Sequence, residues 1–457
     1  MKTPIADFCR DYAQSNTTRL HMPGHKGEGP LGMEHLDLTE IKGADSLYEA
    51  EGIIAESEAN AASLFGARST FYSAEGSSQS IKAMCLLACQ HWSAKNEGSP
   101  LFLTGRNAHK SFVQASQLIG FDVEWMASEE DYSLCRCTIS PDGLEMQLER
   151  VMSEGRSVAA VFVTSPDYLG NVLDIRGLAE VAHRFGTLLL VDNAHGAYLK
   201  FLPEDRHPMT LGADACADSA HKTLPVLTGG GYLHIGTGAP EGFEHGARDD
   251  MCLFGSTSPS YLILQSLDLA NDWLEKTAPA AFSKTVERVS AIKTILSHEG
   301  LTLTGEEPLK LTIDCTASCV GSGLVFADRL RDFGIECEYA DRDVVVLMFA
   351  PNNTDDDYQK LSIAVHMLMQ VQRHLPDSGA ERPAFSNRLP ERVLAPRDVL
   401  LRPTETVAVS EAEGRIAADV HIGCPPAVLP VVPGERVDRN AVAVMEYYGI
   451  QTISVLK

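Results

Sequence analysis

Between about residues 55 and 270, short apolar runs bounded by turn residues alternate with segments of helical spacing. Leu101-Phe102-Leu103, Val158-Ala159-Ala160-Val161-Phe162-Val163 and Thr187-Leu188-Leu189-Leu190-Val191 do not alternate polar with apolar residues. Strands of that kind are covered on both faces, as in a parallel sheet. Segments 110–119 and 175–185 have the spacing of the covering helices. The pattern predicts an α/β domain on a mostly parallel sheet. Ligands of such sheets gather at the carboxyl ends of the strands, where this reading puts His109, Asp167 and Asp192.

Further along, residues 261–298 read as long helices leading to a second, smaller α/β unit. Its expected strands are Leu309-Lys310-Leu311-Thr312-Ile313 and Val344-Val345-Val346-Leu347-Met348, and its expected helices are 322–333 and 357–374. The stretch 376–397, with Pro376, Pro383, Pro390 and Pro396, is linker-like. A small C-terminal α+β unit follows, with Gly414-Arg415-Ile416, Pro425-Pro426 and Pro433-Gly434-Glu435 as its turns. The expected division is 1–275, 276–375 and 376–457, and there are no internal repeats.

At 457 residues the chain is too long for one ordinary domain, and 44% hydrophobic with 22% charged residues is a globular composition. A net charge of −24 argues against nucleic acid, whose phosphates need a basic footprint, and suits a cationic substrate. No apolar run approaches the ~20 residues that span a bilayer, and Met1-Lys2-Thr3-Pro4-Ile5-Ala6-Asp7 lacks a signal core. A cytoplasmic protein with no membrane partner is expected. The eleven cysteines include Cys85 and Cys89 four apart and Cys135 and Cys137 two apart, but no paired Cys-x-x-Cys set. Reduced structural thiols and no metal site are the expectation.

Lys222 stands in Asp218-Ser219-Ala220-His221-Lys222-Thr223, shortly before Gly229-Gly230-Gly231, and Val191-Asp192-Asn193-Ala194-His195 lies about thirty residues upstream. Either charged residue alone is more often a surface lysine or a strand-end cap. Together they read as a pyridoxal-phosphate site. A lysine among small and hydroxylic residues can condense with an aldehyde, and an aspartate ending an apolar strand can keep a pyridine nitrogen protonated. At ~4 Å and an effective dielectric of ~20, that pair of charges gains about 4 kcal/mol. Gly76-Ser77-Ser78 opens a helical segment, 81–91, whose free N–H groups and hydroxyls suit a phosphate. By itself such a start is merely a good cap.

The chain resembles the Orn/Lys/Arg decarboxylases almost end to end. The likeness rests on His21-Met22-Pro23-Gly24-His25-Lys26-Gly27, Gly76-Ser77-Ser78, Asn107-Ala108-His109-Lys110-Ser111, Thr164-Ser165-Pro166-Asp167-Tyr168, the Asp192 and Lys222 segments, and Ser256-Thr257-Ser258-Pro259-Ser260-Tyr261, in the family's order. It implies a fold type I transferase-like large domain, pyridoxal 5'-phosphate as cofactor, and decarboxylation of arginine, lysine or ornithine in polyamine synthesis. On the same resemblance Lys222 carries the cofactor, Asp192 holds its ring nitrogen, His109 stacks on the ring and is a candidate proton donor, and His195 lies near the phenolate. Gly76, Ser77, Ser78, Ser219 and His221 hold the phosphate. Thr257, at an expected helix start, reaches the phosphate of a neighbouring subunit, which implies a homodimer or higher homo-oligomer. The His21–Gly27 segment lies near the site.

Compared with the larger members, the chain resembles the short subgroup without an N-terminal receiver-like domain, and no decamer is expected. Asn193 stands where many relatives carry Glu and Asp167 where Thr is usual, which bears on substrate fit. The stretch Pro425-Pro426-Ala427-Val428-Leu429-Pro430 departs from a usual Pro-Pro-Gly spacing. An aminotransferase or lyase of the same fold, and a catalytically silent regulatory paralogue, are the alternatives. No motif marks the group that meets the substrate's distal cation.

Overall fold

The computed structural model describes residues 1–128, 135–372, 383, 389–418 and 429–457. Pro376, most of the expected linker and Pro425-Pro426-Ala427-Val428 lie outside the described residues. Seven strands make the central sheet: β1 (Ser69–Ser73), β2 (Leu101–Gly105), β3 (Asp122–Met126), β4 (Val158–Thr164), β5 (Leu188–Asp192), β6 (Ala215–Asp218) and β7 (Gly231–Ile235). Their order is β1-β7-β6-β5-β4-β2-β3. Neighbours from β3 to β6 run parallel, and β7 is antiparallel to both β6 and β1.

Successive side chains of a strand point to opposite faces, and both faces here are covered. Ala160, Phe162, Leu188 and Leu190 join Ile81, Met84, Phe102, Phe112 and Phe121 in one core. Val161, Val163, Leu189 and Val191 meet Leu144, Leu148, Leu178 and Val181 in the other. Full burial of a side chain such as Phe162 contributes about 1.5–3 kcal/mol. This double cover is why the expected strands carry no polar alternation. The expected helices form at Lys110–Ile119 and Ile175–Arg184, and Thr277 alone separates Tyr261–Lys276 from Ala278–His298.

A second sheet holds β8 (Thr302–Thr304), β9 (Lys310–Asp314), β10 (Tyr339–Ala340) and β11 (Val344–Met348) in the order β10-β11-β9-β8, antiparallel throughout. Phe282, Val289, Phe326, Leu330, Leu361 and Val365 of the flanking helices bury Leu311, Ile313, Val345 and Leu347. The C-terminal strands β12 (Thr404–Ala408) and β13 (Thr452–Leu456) pair antiparallel over a small core with Met445. That unit docks through a buried ion pair: Arg106 Nη1 donates to Glu435 Oε1 at 2.8 Å, and Arg106 Nε donates to the Leu429 carbonyl at 2.9 Å. The Pro433-Gly434-Glu435 turn is thereby tied to the loop after β2.

One expectation needs correction. Ser256-Thr257-Ser258-Pro259 is not a helix start but an exposed bend, and the helix begins at Tyr261 with Ser260 as its N-cap. Proline disfavours the helical backbone at the residue before it, so Ser258 stays outside. All cysteines among the described residues are free thiols, and no helix among them is long and apolar enough to cross a membrane.

Candidate active site

Asp192 is the last residue of β5, and β6 ends next to it at Asp218, directly before Ser219 and the short helix Ala220–Thr223 that bears Lys222. The topology therefore delivers Asp192 and Lys222 to the same edge of the sheet. Lys222 Nζ lies 3.0 Å from Nε2 of His195. The His195 imidazole is held well below its ordinary range, first by burial and then by the nearby Lys222 and Lys310. A neutral ring can accept from the lysine, and its buried Nδ1 has no partner. Burial pushes the Asp192 carboxyl up to about 6, opposed by Lys222 and the Ala194 N–H. At 2% exposed, it receives that N–H at 3.2 Å, fewer donors than a buried carboxylate can use.

Helix Ser77–Ser93 opens toward the same place, with Gly76 at φ +67° as its N-cap. Ser219 Oγ donates to Ser77 Oγ at 2.8 Å, and Ser111 Oγ donates to Ser78 Oγ at 2.8 Å. The Ser219 and Ser77 hydroxyls are buried together. His221 is fixed by the Gly230 carbonyl, 2.9 Å from its Nδ1, and its ring edge lies 3.7 Å from where a Cβ on Gly76 would stand. Gly231 closes the cradle. A Cβ there would lie 2.8 Å from the Asp218 carbonyl oxygen and 3.1 Å from the Gly76 carbonyl carbon.

His109 caps helix Lys110–Ile119. The Ser111 N–H donates to His109 Nδ1 at 3.2 Å, and Ser111 Oγ lies 2.9 Å from the same nitrogen. Because Nδ1 accepts a backbone proton, the neutral ring carries its own proton on Nε2. Burial, with Lys222 next, pushes the imidazole down to about 3, so this tautomer persists across the physiological range.

A phosphorylated pyridine aldehyde fits these side chains. The amine is Lys222, the under-satisfied buried carboxylate is Asp192, and the partnerless Nδ1 of His195 can meet a phenolate. The helix end at Gly76-Ser77-Ser78, with Ser219 and His221, offers donors for phosphate. Two expected members stand apart: among the described residues no hydrogen bond joins Thr257 or the His21–Gly27 segment to this cluster. Met22 and Pro23 instead line, with Ser258, Pro259, Ser260 and Tyr261, a groove of about 320 Å³.

Asp167 and Asn193, expected to bear on substrate fit, are engaged by the scaffold. Asp167 accepts from the N–H groups of Leu169 and Asn171, both at 2.9 Å, and from Asn171 Nδ2 at 2.7 Å. Asn193 Nδ2 donates to Asp218 Oδ1 at 2.7 Å, while His207 Nε2 lies 2.9 Å from Asp218 Oδ2. The sequence reading quoted Tyr168 but gave it no role; its ring meets His195 edge-on at 5.0 Å and its hydroxyl donates to Glu338 at 2.6 Å. The reading likewise gave no role to Lys310, a lysine inside an apolar strand run, which was the available signal.

Residues 3–312 match the family model described as Orn/Lys/Arg decarboxylase, major domain, and residues 380–453 match Orn/Lys/Arg decarboxylase, C-terminal domain. The chain is 27% identical to an arginine decarboxylase of Bacillus subtilis, covering 97% of this chain and 92% of that protein. With an arginine decarboxylase of Bacillus cereus the identity is 28%, covering 95% and 96%. A Francisella novicida lysine decarboxylase superposes with a TM-score of 0.81 at 16% identity, covering 100% of this chain and 81% of the other. The constitutive lysine decarboxylase of E. coli gives 0.77 at 17%, covering 100% and 82%. At such identities these structures establish the fold, that of the fold type I enzymes. With its major-domain model matched over most of its length, the chain belongs to the Orn/Lys/Arg decarboxylase family.

Proposed function

We propose that this protein is a pyridoxal-phosphate-dependent decarboxylase that converts a basic amino acid, arginine before lysine or ornithine, to its amine and carbon dioxide, supplying polyamine synthesis in the cytoplasm. The observation that carries the reading is the convergence of Lys222, His195 and the buried Asp192 opposite the Ser77–Ser93 helix start. Arginine comes first because the named relatives matched over nearly the whole chain are arginine decarboxylases.

When bound, the cofactor supplies an aldehyde for the substrate amine and a ring that accepts the electron pair left by carbon dioxide. Lys222 holds the cofactor. Asp192 keeps the ring nitrogen protonated, and its buried setting strengthens that interaction. His109, neutral with Nε2–H, would hold the plane of the bound ring. His195 takes part of the Lys222 charge and offers Nδ1 to the phenolate. The Gly76–Ser78 amides with Ser219 and His221 orient the phosphate. Glu338, presented on the Tyr168 hydroxyl, gives the substrate's distal cation an anionic partner, and the −24 net charge suits a cationic substrate.

The working unit on this reading is a homodimer or a higher homo-oligomer. Lys222 and Thr257 are exposed in the single chain, and Leu20, Met22 and Leu253 are 89%, 64% and 71% exposed. A second copy would cover such a surface and exclude water from the lysine. The test is to incubate the purified protein and cofactor separately with arginine, lysine and ornithine and to identify the products. Agmatine with carbon dioxide and no keto acid is the expected result. A keto acid indicates transamination, and no turnover of any of the three indicates a silent paralogue.

A further inference from the structure

Lys310 and Glu307 form an ion pair at 2.8 Å with side chains 1% exposed. So deeply buried a pair is a poor source of stability, because desolvating two charges offsets most of their attraction, and hydrophobic replacements are often neutral. Its contacts indicate another role. Lys310 Nζ donates to the Asp167 carbonyl at 3.1 Å and lies 5.9 Å from the centre of the Tyr168 ring. The same turn is gripped by Thr312 Oγ1 on the Leu169 carbonyl at 2.8 Å, and by the N–H groups of Glu306 and Glu307 on the Gly170 carbonyl at 2.7 and 2.8 Å. Glu307 is held in turn by Tyr198, whose hydroxyl donates to Oε1 at 3.2 Å. Every grip on the turn comes from the connection between β8 and β9 or from β9 itself, while the ring they aim belongs to the loop after β4 and meets His195.

We propose that Lys310 is a positioning residue: its buried ammonium, neutralised by Glu307, pins the Asp167–Tyr168 turn so that the Tyr168 ring holds the His195 imidazole against Lys222. The inference rests on the decarboxylase reading for its effect on turnover, though not for its effect on His195. The charged or titratable groups that bear on that imidazole include Lys222, Lys310, His109 and His221, and the Tyr168 ring lies against it. Replacing the Lys310–Glu307 pair takes away a cation that bears on His195 and, with it, the support of the Tyr168 ring. The first loss raises the ease of protonation, and the second lets the imidazole leave Lys222.

The test is the double variant Lys310→Met/Glu307→Leu, which removes both charges together and avoids leaving one buried alone. Histidine NMR of the cofactor-free protein is expected to show His195 titrating at higher pH than in wild type. Melting should stay near wild type, and kcat with cofactor and substrate should fall about ten- to a hundredfold, the loss typical of a misplaced group. Lys310→Arg keeps the charge and is expected to restore the His195 titration. Tyr168→Leu, which leaves the ion pair in place, should reproduce the fall in kcat. A folded double variant with unmoved His195 titration and wild-type kcat overturns the proposal. If the double variant does not fold, Tyr168→Leu decides it, and an unchanged kcat there overturns it equally. Failure of the wild-type protein to decarboxylate any basic amino acid would refute the functional reading while leaving the His195 titration to judge the positioning role.

Discussion

Asp192 ends β5 almost wholly out of water, with the Ala194 N–H donating to one oxygen. A carboxylate so placed is poised to stabilise a cation brought to it. Asp192→Ala should keep the cofactor but lower turnover by about a hundred- to a thousandfold, each tenfold being about 1.4 kcal/mol. Stopped assays of amine formation check it, and near-normal turnover would contradict the role. At the other end of the strands His183 Nε2 lies 2.9 Å from Asp214, which raises the imidazole above its ordinary range, the hydrogen bond first and burial opposing. A raised folded-state value means a contribution fully present below the ordinary histidine range of about 6.5 and lost as pH rises through the folded value. His183→Gln should therefore flatten the decline of melting temperature as pH rises above about 6.5. The ring is partly exposed, so less than about 1 kcal/mol is involved. An identical decline in both proteins would count against it. Lys222, Asp192, His109 and the Gly76 helix start were legible as residues because each occupies a chemically distinctive setting. The buried polar contacts around them were not, since Asp218 meets Asn193 and His207, and Lys310 meets the Asp167 carbonyl, across long separations.

Among the elements, strands with both faces buried were readable wherever the run was long and apolar, as in β4 and β5. The reading missed β3, where Asp122–Met126 carries two acidic residues, and β1, β6 and β7, because Ser69–Ser73, Ala215–Asp218 and Gly231–Ile235 are short and mix polar with apolar residues. The polar residues of the latter three are engaged inside, as when Thr70 Oγ1 meets His234 Nδ1 at 2.8 Å across β1 and β7. The Ser256–Pro259 segment failed differently, since a hydroxyl followed by proline imitates a helix start one turn too early. Gly231, at the start of β7, shows how closely elements approach at the site. Gly231→Ala would press a methyl against the Asp218 carbonyl and the Gly76 backbone, neither able to give way cheaply. A loss of about 1–3 kcal/mol in stability is expected, with weaker cofactor binding. Thermal melting and cofactor titration read both. Wild-type values in each would show that the backbone can part there.

For the whole molecule, the proposed second copy would cover Lys222 and Thr257, both exposed on one chain. An inactive Lys222→Ala chain mixed with an inactive Thr257→Ala chain should regain part of the activity, because a mixed dimer rebuilds one intact site. Mixing that restores nothing, although subunits exchange, would overturn the shared site. The proposed chemistry depends most on Lys222 as the residue that holds the cofactor. Borohydride reduction of the cofactor-loaded protein, followed by digestion and peptide mass measurement, tests it directly. A cofactor-derived mass fixed on Lys222, and absent from the Lys222→Ala protein, is the predicted result; an unmodified Lys222 with the cofactor fixed on another lysine, or on none, would contradict it.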